Sequence, residues 1–163
     1  MFSTIRAFSV LMIPSAGETQ NAGYWLEKGN ELCNCGQGEE AIKAYDHALG
    51  IDPTLIDAWN NKGLVLASQE RFMLAMECFE QALKLSPQHK HALSNMGMIL
   101  AQQKKYPEAL RCFETAIAAD AYFAGAWYNM ALVLQCMNRG KEAMAAMKTA
   151  DTLEGKAGRC GIR

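Results

Sequence analysis

Six cysteines and three histidines are the side chains best suited to chemistry in this 163-residue chain. Cys33 and Cys35 form a Cys-x-Cys pair, and His89 and His91 form a His-x-His pair. Each is half of a metal site at best, because a zinc ion asks for four converging ligands, and no second pair lies near either in sequence. Cys78 and Cys112 stand 34 residues apart and read as small buried apolar residues; Cys136 and Cys160 stand alone. Large intracellular chains usually keep such thiols reduced, so the expectation is a reducing compartment without disulfides. Catalysis is not expected either. His47, His89 and His91 are dispersed, no glycine-rich phosphate loop follows a strand, and no serine occupies a nucleophile elbow. No metal or cofactor is expected.

The elements that must position these residues repeat. Trp25 and Trp59 are 34 residues apart, and Trp127 falls three periods after Trp25. With Ala22 as the first residue of a unit, Gly29, Gly63 and Gly97 share position 8, and Leu32, Leu66, Leu100 and Leu134 share position 11. Position 20 holds Ala41, Ala75, Ala109 and Ala143, and position 27 holds Ala48, Ala82, Ala116 and Ala150. Tyr45, Phe79 and Phe113 occupy position 24, and Pro53 and Pro87 occupy position 32. A glycine inside a helix costs about 1 kcal/mol relative to alanine, so three at one position imply close packing between helices.

A 34-residue period with these columns resembles the tetratricopeptide repeat family. The resemblance covers residues 22 to about 155 and implies an all-α, right-handed superhelical solenoid of four helix-turn-helix units, 22–55, 56–89, 90–123 and 124–155. Units three and four depart from the pattern with Leu93 for tryptophan, Ala131 for glycine, Met147 for the aromatic, and Ala121 and Gly155 for proline. Local chemistry gives the same eight helices and no strand. Gly36-Gln37-Gly38 and Gly140 mark turns within units, and Pro107 suits a first helical turn with Glu108 beside it. Asp52-Pro53 and Ser86-Pro87 end second helices, since the residue before proline is pushed out of the helical region.

What the resemblance implies for function is a protein-binding groove lined by the first helix of each unit at positions 2, 5, 6, 9, 12 and 13. Position 6 is Glu27, then Asn61, Asn95 and Asn129; position 5 is Leu26, Asn60, Ser94 and Tyr128. An amide both donates and accepts, so this asparagine ladder is suited to pairing with the backbone of an extended peptide, with Asn30, Asp57, His91 and Gln135 reading its side chains. A carboxylate clamp of the kind some members carry is not expected. Asn30 and Asn61 match its amides, but Leu26, His91 and Asn95 stand where bases are wanted. The chain therefore reads as a non-enzymatic interaction scaffold for another protein or peptide, without nucleic acid.

Charge and the chain ends supply the remaining expectations. Net charge is −1, but residues 18–57 hold eight acids against Lys28 and Lys43, whereas residues 139–163 hold six bases against three acids. Opposite ends invite head-to-tail association into a homo-oligomer, the alternative role; a metal- or redox-handling protein is the other. Residues 156–163 read as a flexible tail too glycine-rich to cap the array. In residues 1–21, Phe2, Ile5, Phe8, Leu11 and Met12 make one apolar face suited to an N-terminal cap. The rival reading is an export signal over residues 1–17. At far fewer than the roughly 20 apolar residues a bilayer demands, the stretch is too short to span a membrane, and the protein is placed in the cytoplasm.

Overall fold

A computed structural model describes residues 21–159, and among them every regular element is helical. The helices are α1 (Ala22–Asn34), α2 (Gly38–Ile51), α3 (Ile56–Ser68), α4 (Phe72–Leu85), α5 (Lys90–Gln102), α6 (Tyr106–Ala119), α7 (Ala124–Cys136) and α8 (Gly140–Arg159). The odd helices start at Ala22, Ile56, Lys90 and Ala124, and the even ones at Gly38, Phe72, Tyr106 and Gly140. Each series advances by the sequence period. Helices pair within a unit, each even helix packs on the following odd helix, and α1, α3, α5 and α7 also touch in succession. The even helices make no such contacts with one another. An array joined along one layer and splayed along the other curves, so the odd helices form its concave face.

The columns of small residues have a direct steric cause. A Cβ built on Gly63 would lie 2.7 Å from the Phe79 ring, one on Gly97 would lie 2.8 Å from Phe113, and one on Gly29 would collide with Tyr45. Those three rings are at most 1% exposed. The glycine thus lets the first helix of a unit rest on the aromatic of the second. In the fourth unit both partners change together: Ala131 supplies the methyl group and Met147, unbranched and adaptable, replaces the ring in the same core cluster.

Tryptophan does a different job. Trp59 Nε1 donates to the Pro53 carbonyl at 2.9 Å, and Trp127 Nε1 to the Ala121 carbonyl at 3.0 Å. Each half-buried indole thereby holds the turn leading into its own unit. The same turns are closed by Asp52, whose Oδ1 accepts from the Thr54 amide and hydroxyl, and by Asp120, whose Oδ1 accepts from the Tyr122 amide. These bonds lower the pKa of both carboxyls; at Asp120 the largest contribution is its pairing with Lys90.

Two sequence expectations need correction. The turn inside each unit is made by a left-handed residue at position 15: Gly36, Glu70, Lys104 and Asn138, with φ of 75°, 59°, 61° and 59°. Gly140 is not that turn residue in the fourth unit; it opens α8, in the place of Gly38, Phe72 and Tyr106. The second correction concerns the C-terminal end, where α8 runs through Gly155 to Arg159, four residues into the expected tail. Gly155 does not take the left-handed conformation that would stop a helix there. The expected N-terminal cap and export signal, on residues 1–20, lie outside the described residues, as does Cys160.

Candidate functional site on the concave face

The asparagine column lies on the concave face, but its amides first serve the array itself. Asn129 Nδ2 donates to Ser94 Oγ at 3.5 Å, and Asn95 Nδ2 donates to Asn60 Oδ1 at 3.1 Å. In both, position 6 of one unit reaches position 5 of the unit before. Position 5 of the first unit is Leu26, which offers no acceptor, and Asn61 Nδ2 donates instead to Asn30 Oδ1 at 3.0 Å, one helical turn further on. Asn60 Nδ2 donates to Asn61 Oδ1, and the Tyr45 hydroxyl donates to Asn30 Oδ1 at 2.9 Å. A continuous chain of bonds runs from Tyr45 through Asn30, Asn61 and Asn60 to Asn95. Asn60 and Ser94 are 7% and 4% exposed, so Asn60 is an internal link rather than a reader of side chains. Among the described residues Asn95 Oδ1 and Asn129 Oδ1 accept no protein donor, yet no buried side-chain polar atom is left unpaired. Neither oxygen is therefore fully buried.

Burial of its ring pushes the Tyr45 phenol up to about 12, with the nearby Cys33 adding to the effect. The folded state thus favours neutral Tyr45. The stability this contributes is complete below the ordinary tyrosine value near 10 and is lost as pH rises through 12. Tyr45→Phe keeps the ring without the ionisable group. Wild type is expected to lose stability relative to this variant between pH 10 and 12, measured as the difference in urea midpoints; a pH-independent difference would contradict it.

Of the remaining expected groove residues, Asp57 is exposed and lies 3.6 Å from His89 Nε2, while His89 Nδ1 caps α5 by accepting from the Ala92 amide. His91 packs edge-on against Phe123, and its pKa is lowered by burial, then by the charges of Lys90 and His89. Tyr128 and Gln135 are exposed. The clamp positions hold no lysine or arginine, and Asn30 and Asn61 are hydrogen-bonded to each other. Cys33, Cys35 and Cys136 are exposed and Cys78 is buried, its thiol pushed up by that burial. Among the described residues no group of three or more His, Cys, Asp or Glu side chains is placed to hold a metal ion, and no helix is long and apolar enough to cross a membrane.

Sequence reasoning passed over the apolar half of the face. Position 9 carries Leu64, Met98 and Leu132, exposed by 46%, 49% and 40%. Leu64 and Met98 flank a cleft of about 370 Å³ between α3 and α5, which Cys33, Ala67, Ser68, Asn95 and Gln102 also line. The signal was present, since these three residues recur at the sequence period one turn beyond the asparagines. The face is nearly neutral: of positions 2, 5, 6, 9, 12 and 13 in the four units, only Glu27, Asp57 and His91 are ionisable besides cysteine and tyrosine, and none is lysine or arginine.

An uncharacterized protein of Methanocaldococcus jannaschii is 36% identical over 53 residues, a match spanning 32% of this chain and 62% of that protein's length. In fold the chain is similar to the crystal structure of MamA, with a TM-score of 0.77 and 19% identity over 88% of this chain and 84% of that one. It is similar to the same degree to PilF of Pseudomonas aeruginosa, with a TM-score of 0.77 and 25% identity over 84% of this chain and 63% of that one. Tetratricopeptide-repeat family models match residues 29–70, 54–121 and 95–154 in overlapping succession. With the models covering nearly all of the helical array, the chain belongs to the tetratricopeptide repeat family.

Proposed function

We propose that this protein is a non-enzymatic interaction scaffold that holds an extended segment of a partner polypeptide across its concave face. The observation that carries the reading is the row Leu64, Met98 and Leu132, large apolar side chains left 40–49% exposed at one repeat position. Apolar groups gathered in a cleft mark a binding surface, whereas single scattered ones do not. Beside that row, Asn95 Oδ1 and Asn129 Oδ1 are acceptors for the backbone N–H groups of an extended chain, and the apolar cleft takes its side chains. A neutral face with Glu27 and Asp57 at one end favours an apolar segment of weakly basic character.

The test is affinity capture from native lysate with wild type and with Leu64→Glu/Met98→Glu. Both residues are half exposed, so helicity by circular dichroism should not change. Desolvating two buried carboxylates in a complex costs enough that captured partner should fall by at least about tenfold. Unchanged partner lists would remove the concave face from consideration.

Head-to-tail assembly has less support from the end faces. At position 3 the later units place Ala58, Ala92 and Ala126, all 0% exposed against the preceding unit, and at position 10 they place Val65, Ile99 and Val133, 3–4% exposed. The first unit has Tyr24 and Glu31 there. A bulky ring and a charge at these two places obstruct stacking of α1 on another copy's α8 in the repeat register, and complementary net charge alone supplies only a screened attraction.

A further inference from the structure

The apolar row at position 9 sets a spacing as well as a surface. Neighbouring odd helices are in contact, and helices in contact have axes about 8–10 Å apart, so Leu64, Met98 and Leu132 recur along the face at about that interval. We infer that the partner segment is a polyproline II stretch with an apolar residue at every third position and a lysine or arginine at its end nearest the first unit. The inference rests on the reading of the concave face as a docking surface.

Three observations select this partner. The first is pitch. A polyproline II helix turns once in three residues at about 3.1 Å each, or about 9 Å per turn, which matches one unit of the array. A β-strand returns a side chain to the same face after about 6.6 Å, and so falls out of step by the second unit. The second observation is hydrogen bonding. Polyproline II has no internal hydrogen bonds, so the N–H groups of its non-proline residues are available to Asn95 Oδ1 and Asn129 Oδ1, acceptors that no protein donor fills among the described residues. An α-helix would also match the spacing, every seven residues at about 10.5 Å, but its N–H groups are spent on its own carbonyls. The third is charge. Position 9 of the first unit is Asn30 rather than an apolar residue, and the exposed Glu27 and Asp57 stand at that end of the face, whose positions 2, 5, 6, 9, 12 and 13 hold no lysine or arginine.

The experiment titrates the full chain into fluorescently labelled peptides and reads their anisotropy. Two peptides carry leucines three apart, Lys-Ser-Pro-Leu-Ser-Pro-Leu-Ser-Pro-Leu and its reversed order, so that either chain direction can engage. A third has the same residues with the leucines two apart, and a fourth is an alanine-rich helix with leucines seven apart. One of the first two should bind at least about tenfold more tightly than the third and fourth, since each misplaced leucine forfeits its burial. Glutamate in place of its lysine should weaken that peptide about threefold or more, and the loss should shrink at high salt. Leu64→Glu/Met98→Glu should abolish its advantage. Equal affinities, a preference for leucines two or seven apart, or no binding by any of the four would overturn the inference. If partner capture from lysate still falls in Leu64→Glu/Met98→Glu, the groove reading stands and only the polyproline register fails.

Discussion

Replacing Phe79 by alanine should lower the unfolding free energy by about 3–5 kcal/mol, the range for a large aromatic deleted from a packed core. The ring is 0% exposed and belongs to the central cluster with Tyr45, Leu66 and Ala82. The more informative measurement concerns its partner. Gly63→Ala gains about 1 kcal/mol of helix propensity but places a methyl group 2.7 Å from the same ring, and overpacking of that kind costs about 1–3 kcal/mol. The single variant should therefore be destabilised despite the better helix former. Gly63→Ala/Phe79→Met reproduces the pair already present as Ala131 and Met147, and should lose less than the sum of its two single changes, a coupling of about 0.5–3 kcal/mol. Urea unfolding of the four proteins in this cycle decides the matter. Strict additivity would mean that the glycine column has a cause other than the ring.

That pairing was half legible in the sequence. The columns announced close packing, because three helical glycines at one spacing need a steric reason, but they did not say that position 8 meets position 24. Turn chemistry was less legible. A left-handed residue at position 15 is what the intra-unit turn requires, yet Glu70 and Lys104 are poor advertisements for it, and Gly140 drew attention two residues too late. At the site, the repeat pattern placed the asparagines on the concave face but said nothing of their partners. Position 5 changes from Leu26 to Asn60 to Ser94 to Tyr128, so the bonds that join the units follow no single column. The apolar row at position 9 recurred in units two to four, with Asn30 in the first, and still passed unread, because an exposed leucine or methionine looks like core until its burial is known.

Whether the asparagines bind a partner or bind the units to one another is decided by Asn61→Ala/Asn95→Ala/Asn129→Ala. Three inter-unit hydrogen bonds disappear, at about 0.5–1.5 kcal/mol each, and the buried polar atoms of Asn60 and Ser94 lose their donors. Together these should cost about 2–4 kcal/mol. In a linear array stability is the sum of unit terms and neighbour interfaces, so weakening the interfaces should also broaden the thermal transition as units begin to unfold separately. Leu64→Glu/Met98→Glu makes the opposite prediction, with partner binding lost and the transition little changed, because about half of each side chain is already in water. The two variants thus separate cohesion from recognition on a single face. If the triple variant kept its melting curve and lost its partner, the amides would be ligands first and the bonds between units incidental. The geometry favours the other order: each position-6 amide is already engaged as a donor to the unit before it, and the oxygens of Asn95 and Asn129 are acceptors that no protein donor fills among the described residues.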